Sequence, residues 1–126
     1  MNKKIIIIGS VFALTSIILG AFGAHALNDI LSSERIASFK TGTQYQMFHA
    51  LALITIGFNA KKLPNIRLLS FLFIAGIICF SFSIYLLSLQ SLMQMNLSSI
   101  GFVTPLGGLL LIGAWISFIS SVVKQK

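Results

Sequence analysis

A bundle of four membrane-spanning α-helices, with both chain ends in the cytoplasm and a short interfacial helix ahead of the second span, is predicted by three features of this chain. Four apolar stretches fill nearly all of its 126 residues. Only 9% of the residues are charged, and the mean hydropathy is +0.97. The basic residues gather in alternate connections between those stretches. A small water-soluble domain needs a polar exterior, and about a quarter of an average chain is charged. The prediction is therefore an all-α membrane protein with residues 1–126 forming one four-helix transmembrane domain.

A helix crosses the hydrocarbon layer with about 20 apolar residues. Ile5–Leu27, Thr41–Ala60, Ile66–Leu89 and Ile100–Val123 all reach that length, with no Asp, Glu or Lys inside and Arg67 only at an edge. No sustained alternation of the kind a membrane β-strand shows is present. Helices satisfy their own backbone groups, which lipid requires.

Span one carries small residues at intervals of three or four: Gly9, Ala13, Ser16, Gly20 and then Gly23 or Ala24. Such a stripe lets helix backbones approach closely, so it predicts a packing face. Lys3 and Lys4, an apolar run and Ala24-His25-Ala26 also match a secretory signal with a cleavage site. The run is longer than a usual signal core, which favours a retained span. In the connector Asn28–Lys40, Ser32 or Ser33 can cap a helix opening on Glu34, with Ile36 and Phe39 on one side. An acidic residue suits a helix N-terminus, and the pattern predicts the interfacial helix. Pro64-Asn65 marks a turn. Span three places Gly76, Cys79 and Ser83 on one face and Ser81, Tyr85 and Ser88 on another. Cys79 is the lone cysteine and reads as a packing residue. Pro105 either begins span four at its first turn or kinks a helix already begun. Gly107 and Gly108 loosen the same region, Gly108 being assigned to packing, and Trp115 lies too deep for an interface anchor.

The net charge of +7 does not point to nucleic acid, because of where the charges sit. Lys3, Lys4, Lys61, Lys62, Arg67, Lys124 and Lys126 fall on one side of the predicted membrane, and only Arg35 and Lys40 on the other. That asymmetry places both termini in the cytoplasm.

With this topology, hydrogen-bonding residues from all four spans share one depth near the outer face. His25 ends span one, Gln44, Tyr45, Gln46 and His49 lie in span two, Tyr85 and Ser88 end span three, and Thr104 opens span four. Tyr45 and Gln46 stand four and three positions from His49, so they can neighbour it on the helix surface. His25, Tyr45, Gln46, His49, Tyr85 and Thr104 form the candidate ligand-binding cluster. Three uses compete for it. It can be a polar clasp fixing helix register. It can be a pocket for a lipid headgroup, quinone or other amphiphile. It can be a metal, haem or proton-relay site built on His25 and His49. Two histidines without a carboxylate or thiolate are too few for a closed zinc site, and no metal or cofactor is predicted. Paired carboxylates, a nucleophilic triad and a phosphate loop are absent, so the protein is expected not to be an enzyme. The expected role is a module binding a lipid-like ligand or a membrane partner. The alternative is a transporter or channel subunit whose path lies between copies of an oligomer. Membrane lipids, a second copy or another membrane protein are the expected partners.

Three strings have a collective likeness: Gly20-Ala21-Phe22-Gly23-Ala24-His25-Ala26-Leu27, Tyr45-Gln46-Met47-Phe48-His49-Ala50-Leu51-Ala52-Leu53, and Thr104-Pro105-Leu106-Gly107-Gly108 followed by Gly113-Ala114-Trp115. They resemble the signatures of the YgdD-like family, small four-span bacterial inner-membrane proteins with a domain of unknown function. The resemblance covers essentially the whole chain. Span three departs from it: the family's Ser-Gly-Ser-Leu-Tyr corresponds to Ser81-Phe82-Ser83-Ile84-Tyr85 here, and the phenylalanine thickens that face. The resemblance implies a four-helix bundle in the bacterial cytoplasmic membrane and a retained first span. It implies no activity.

Overall fold

The computed structural model describes residues 1–124. Lys126, one of the basic residues in the charge asymmetry, lies outside the described residues. Four helical rods run antiparallel in sequence order. They are α1 (Lys3–His25), α2 (Ser33–Phe58), a composite third rod and α5 (Val103–Val123). The third rod joins α3 (Ile66–Ile77) to α4 (Ser83–Leu89) through a π-helical turn at Ile78–Phe82. No β-strand occurs among the described residues.

Three rods are long and apolar enough to cross a membrane: Lys3–His25, Ile66–Leu89 and Ser98–Val123, the last counting a 3₁₀ turn ahead of α5. The second rod has the length, at 26 residues, but is the most polar of the four. Glu34, Arg35 and Lys40 occupy its first turns, and Gln44, Gln46 and His49 its middle.

The exterior is greasy and the interior partly polar. Ile7, Val11, Leu14 and Ile18 of α1 point outward, as do Phe71 of α3 and Leu109, Ile112, Ile116 and Ile119 of α5. Gln46, Ser16, Ser81 and Ser83 are buried. Water would penalise so continuous an apolar surface; lipid favours it.

Each helix starts for a local reason. The Asn2 side chain accepts from Ile5 N at 3.3 Å, and Asn2 N reaches Gly57 O at 2.7 Å, tying the start of α1 to the end of α2. Ser32 Oγ caps α2 by accepting from Arg35 N at 3.4 Å. Asn65, left-handed at φ 58°, turns the chain into α3. Pro105 falls in the first turn of α5, where its missing N–H costs no helical hydrogen bond.

The predicted interfacial helix is not a separate element. Ser33–Lys40 forms the opening turns of α2 without a break. The reason is Phe39, which is 2% exposed and sits 5.0 Å from the Tyr85 ring, where Gly23 leaves it room. Leu27 and Leu31 of the connector close over the same pair. Burial of this aromatic holds the segment upright in the bundle.

The small-residue stripe of α1 divides. Gly9 lies against Ala50 O and Ile54 of α2, so a Cβ there would meet them at 2.9 Å. Ser16 is buried and donates to Thr43 O at 2.7 Å. Ala13 is half-buried between them. Gly20 has nothing within 4 Å of where its Cβ would lie, and Ala24 is exposed, so these two do not pack on a neighbour. At this end the helices part around Phe39 and leave a groove of about 350 Å³ edged by Lys40 and Asn28. In α5 the close approach is made by Gly107, whose added Cβ would collide with the Cys79 and Phe80 backbone. Gly108, assigned to packing from the sequence, has only the Phe80 ring at 3.8 Å.

Candidate functional site

The polar layer begins with α2, which places Gln46 at 0% exposure facing both α1 and the third rod. Gln46 Nε2 donates to Phe12 O and to Thr15 Oγ1, each at 2.8 Å. Its Oε1 accepts from Tyr85 OH at 2.7 Å. One side chain thus bridges three rods. The π turn places Ser81 so that its Oγ donates to Gly42 O at 2.8 Å. On the other side Ser83 and Thr104 share a hydrogen bond of 2.7 Å, linking the third rod to α5. Phe82, where the resembled signature has glycine, is partly exposed, with its ring 6.4 Å from Phe12 and 5.7 Å from Tyr85.

His49 lies one turn along α2 from Gln46. Its Nδ1 is 2.6 Å from Tyr45 O, and the Trp115 indole N–H donates to its Nε2 at 3.1 Å. An indole nitrogen only donates, so Nε2 accepts and Nδ1 carries the proton to the carbonyl. Both ring nitrogens are engaged, and a metal at Nε2 must first displace Trp115. His25 is exposed on α1 and makes no side-chain hydrogen bond among the described residues. No group of three or more His, Cys, Asp or Glu able to hold a metal occurs among the described residues. Tyr45, 43% exposed, packs against Phe80 and Phe48 on the outside of the bundle.

The six candidate residues therefore separate into smaller groups. Gln46 and Tyr85 form one buried clasp, His49 pairs with Trp115 and stacks on the outward-facing Tyr45 with ring centroids 6.1 Å apart, and His25 stands apart. Thr104 alone of the six borders an open polar recess. That recess, about 510 Å³, lies between the start of α2, the end of α4 and the turn before α5. Glu34, Arg35, Ser38, Ser88, Gln90 and Thr104 contribute its polar lining. Arg35 Nη1 reaches Ser88 O at 3.4 Å, a long bond, and Arg35 forms no ion pair among the described residues. Ser88 is 3% exposed, and its Oγ is the one buried side-chain polar atom without a partner among the described residues. Gln90 Oε1 holds the wall by accepting from Leu97 N at 3.0 Å. Sequence reasoning missed Arg35 as a site residue because it read as a loop charge. The available signal was its position just inside a capped helix end, opposite Ser88.

An exterior of aliphatic and aromatic side chains around hydrogen-bonded polar residues defines a small multi-pass membrane protein. A family model described as "Protein of unknown function (DUF423)" matches residues 19–108. The UPF0382 membrane protein YwdK of Bacillus subtilis is 40% identical over 97% of this chain and 98% of its own length. A UPF0382 membrane protein of Staphylococcus epidermidis is 35% identical over 97% of each chain. One from Haemophilus influenzae is 32% identical over 100% of this chain and 98% of its own. No solved structure matches. The chain belongs to this DUF423/UPF0382 family of bacterial membrane proteins.

Proposed function

We propose that the protein is a non-enzymatic module of the bacterial cytoplasmic membrane, YgdD-like, that binds a lipid-like amphiphile at the outer end of a four-span bundle. Both termini face the cytoplasm in this reading, following the distribution of basic residues. The second rod is the least apolar, yet it is flanked by rods on either side and turns Gln46 and His49 inward. Polar residues within membrane helices usually face a bundle interior in this way.

The recess carries the functional reading. Hydrogen-bonding groups deeper in the bundle are matched to one another, whereas the recess holds a guanidinium and a carboxylate beside Ile84 and Leu87. Clefts between bundle helices are favoured ligand sites.

The test is native mass spectrometry of the full chain released from lipid nanodiscs. A monomer or small oligomer keeping a stoichiometric lipid, with retention weakened in Arg35→Ala, supports this reading. A ring of defined size that keeps no lipid overturns it and favours a transporter subunit.

A further inference from the structure

We infer that the recess selects a zwitterionic headgroup of the phosphoethanolamine type, its phosphate on Arg35 and its primary ammonium on Glu34. This deepens the lipid-binding reading above and rests on it.

Glu34 and Arg35 are consecutive residues in the first turn of α2, and both line the recess. A helix separates consecutive side chains by about 100°. The two charges therefore stand beside one another without lying along one line, and no ion pair joins them. An anion alone would meet the Glu34 carboxylate, and a cation alone the Arg35 guanidinium. A group carrying both signs a few ångströms apart satisfies both.

The remaining lining fits the same ligand. Arg35 spends one N–H on the long bond to Ser88 O, and a guanidinium has five donors, so most remain for phosphate oxygens. The Ser88 hydroxyl is buried behind the wall without a partner among the described residues, so it does not compete for the Arg35 donors. The start of α2 adds the positive end of a 26-residue helix to the phosphate side.

The choice among zwitterions follows from the donor count. A primary ammonium gives N–H bonds to a carboxylate. A quaternary choline group gives none and is ordinarily held by aromatic faces. The recess is lined by no aromatic side chain, its apolar members being Ile84 and Leu87. Phosphoethanolamine is thus favoured over phosphocholine. The same headgroup occurs on a membrane lipid and on soluble glycerophosphoethanolamine, and the recess lies at the end of the apolar rods where lipid headgroups gather.

The experiment reconstitutes the full chain in nanodiscs of equal phosphatidylethanolamine, phosphatidylglycerol and phosphatidylcholine. It then reads the lipid kept on the released protein. Phosphatidylethanolamine is expected to be enriched about tenfold over each of the others, the equivalent of one charge-assisted hydrogen bond. Glu34→Gln should abolish the preference over phosphatidylglycerol while leaving lipid bound, and Arg35→Gln should lower retention of all three. Circular dichroism and gel filtration confirm that each variant is folded. Soluble glycerophosphoethanolamine competing at millimolar concentration supports the headgroup chemistry but assigns the source to a free metabolite if lipid enrichment is absent. Lipid retained without headgroup preference, yet lost in Arg35→Gln, overturns this inference and leaves the lipid-binding reading standing. Retention of no lipid by the folded wild-type chain, with no competition by the soluble compound, overturns both.

Discussion

Near the chain termini, α2, α3 and α5 meet through Leu53, Ile56, Leu69, Phe73, Ile77, Leu111 and Ala114. Farther along the same bundle, neighbouring helices meet through Gln46, Tyr85, Ser81, Ser83 and Thr104. The first region is held by shape. Lipid tails are as apolar as leucine, so removing these side chains from lipid yields little, and close dispersion contact supplies the cohesion. The second region is held by direction. Each hydrogen bond is modest in a membrane, about 0.6 kcal/mol on average, but it is satisfied in only one rotation of each helix. Packing thus accounts for adhesion and the polar layer for register. The recess lies beyond the polar layer, where neither device closes the bundle.

The junction between the two regions is the most sensitive point. Gly107 lets α5 rest on the Cys79–Phe80 backbone at the π turn. Gly107→Val should cost about 3 kcal/mol, the upper end of the usual range for overpacking. Gly113→Ala, with nothing within 4 Å, should be nearly silent. Unfolding in mixed detergent micelles separates the two, and equal behaviour would refute the close approach. Next comes Phe73→Ala in the apolar region, expected to cost about 2 kcal/mol, because the void remains while the transfer contribution largely vanishes in lipid. Gln46→Leu follows at about 1 kcal/mol, from the stranded Tyr85 hydroxyl and two lost carbonyl or hydroxyl partners. A cost for Gln46→Leu above that of Phe73→Ala would invert the comparison and make the polar layer the main adhesive. A smaller effect than these belongs to Trp115→Phe, about 0.6 kcal/mol, which keeps the ring contacts and removes only the donation to His49. A histidine side-chain NMR shift at Nε2 should report that loss even where stability barely moves.

Much of the site was legible in part. The shared depth of Gln46, Tyr85 and Thr104 follows from counting along each helix from its end. Their pairing does not follow, since depth says nothing about rotation: Tyr45 shares a level with Gln46 yet faces out. Trp115 had no evident partner in the sequence because its partner, His49, is 66 positions away on a helix turned by packing. Gly107 and Gly108 are equivalent to a pattern of small residues. Only the meeting of α5 with the π turn distinguishes them.

What the sequence by itself determined is the solvent and the rods. Few charges and long apolar runs require helices with an outward greasy surface, because unsatisfied backbone is too costly in lipid. Capping and turn residues then place most helix ends near where they fall. Tertiary structure decided the rest. The π turn at Ile78–Phe82 breaks helical periodicity, so side chains beyond it face directions that a 3.6-residue count does not give. Helix rotation, and with it the buried clasp, the His49–Trp115 pair and the Arg35 recess, depends on how complete surfaces fit against one another, which is a property of several helices together.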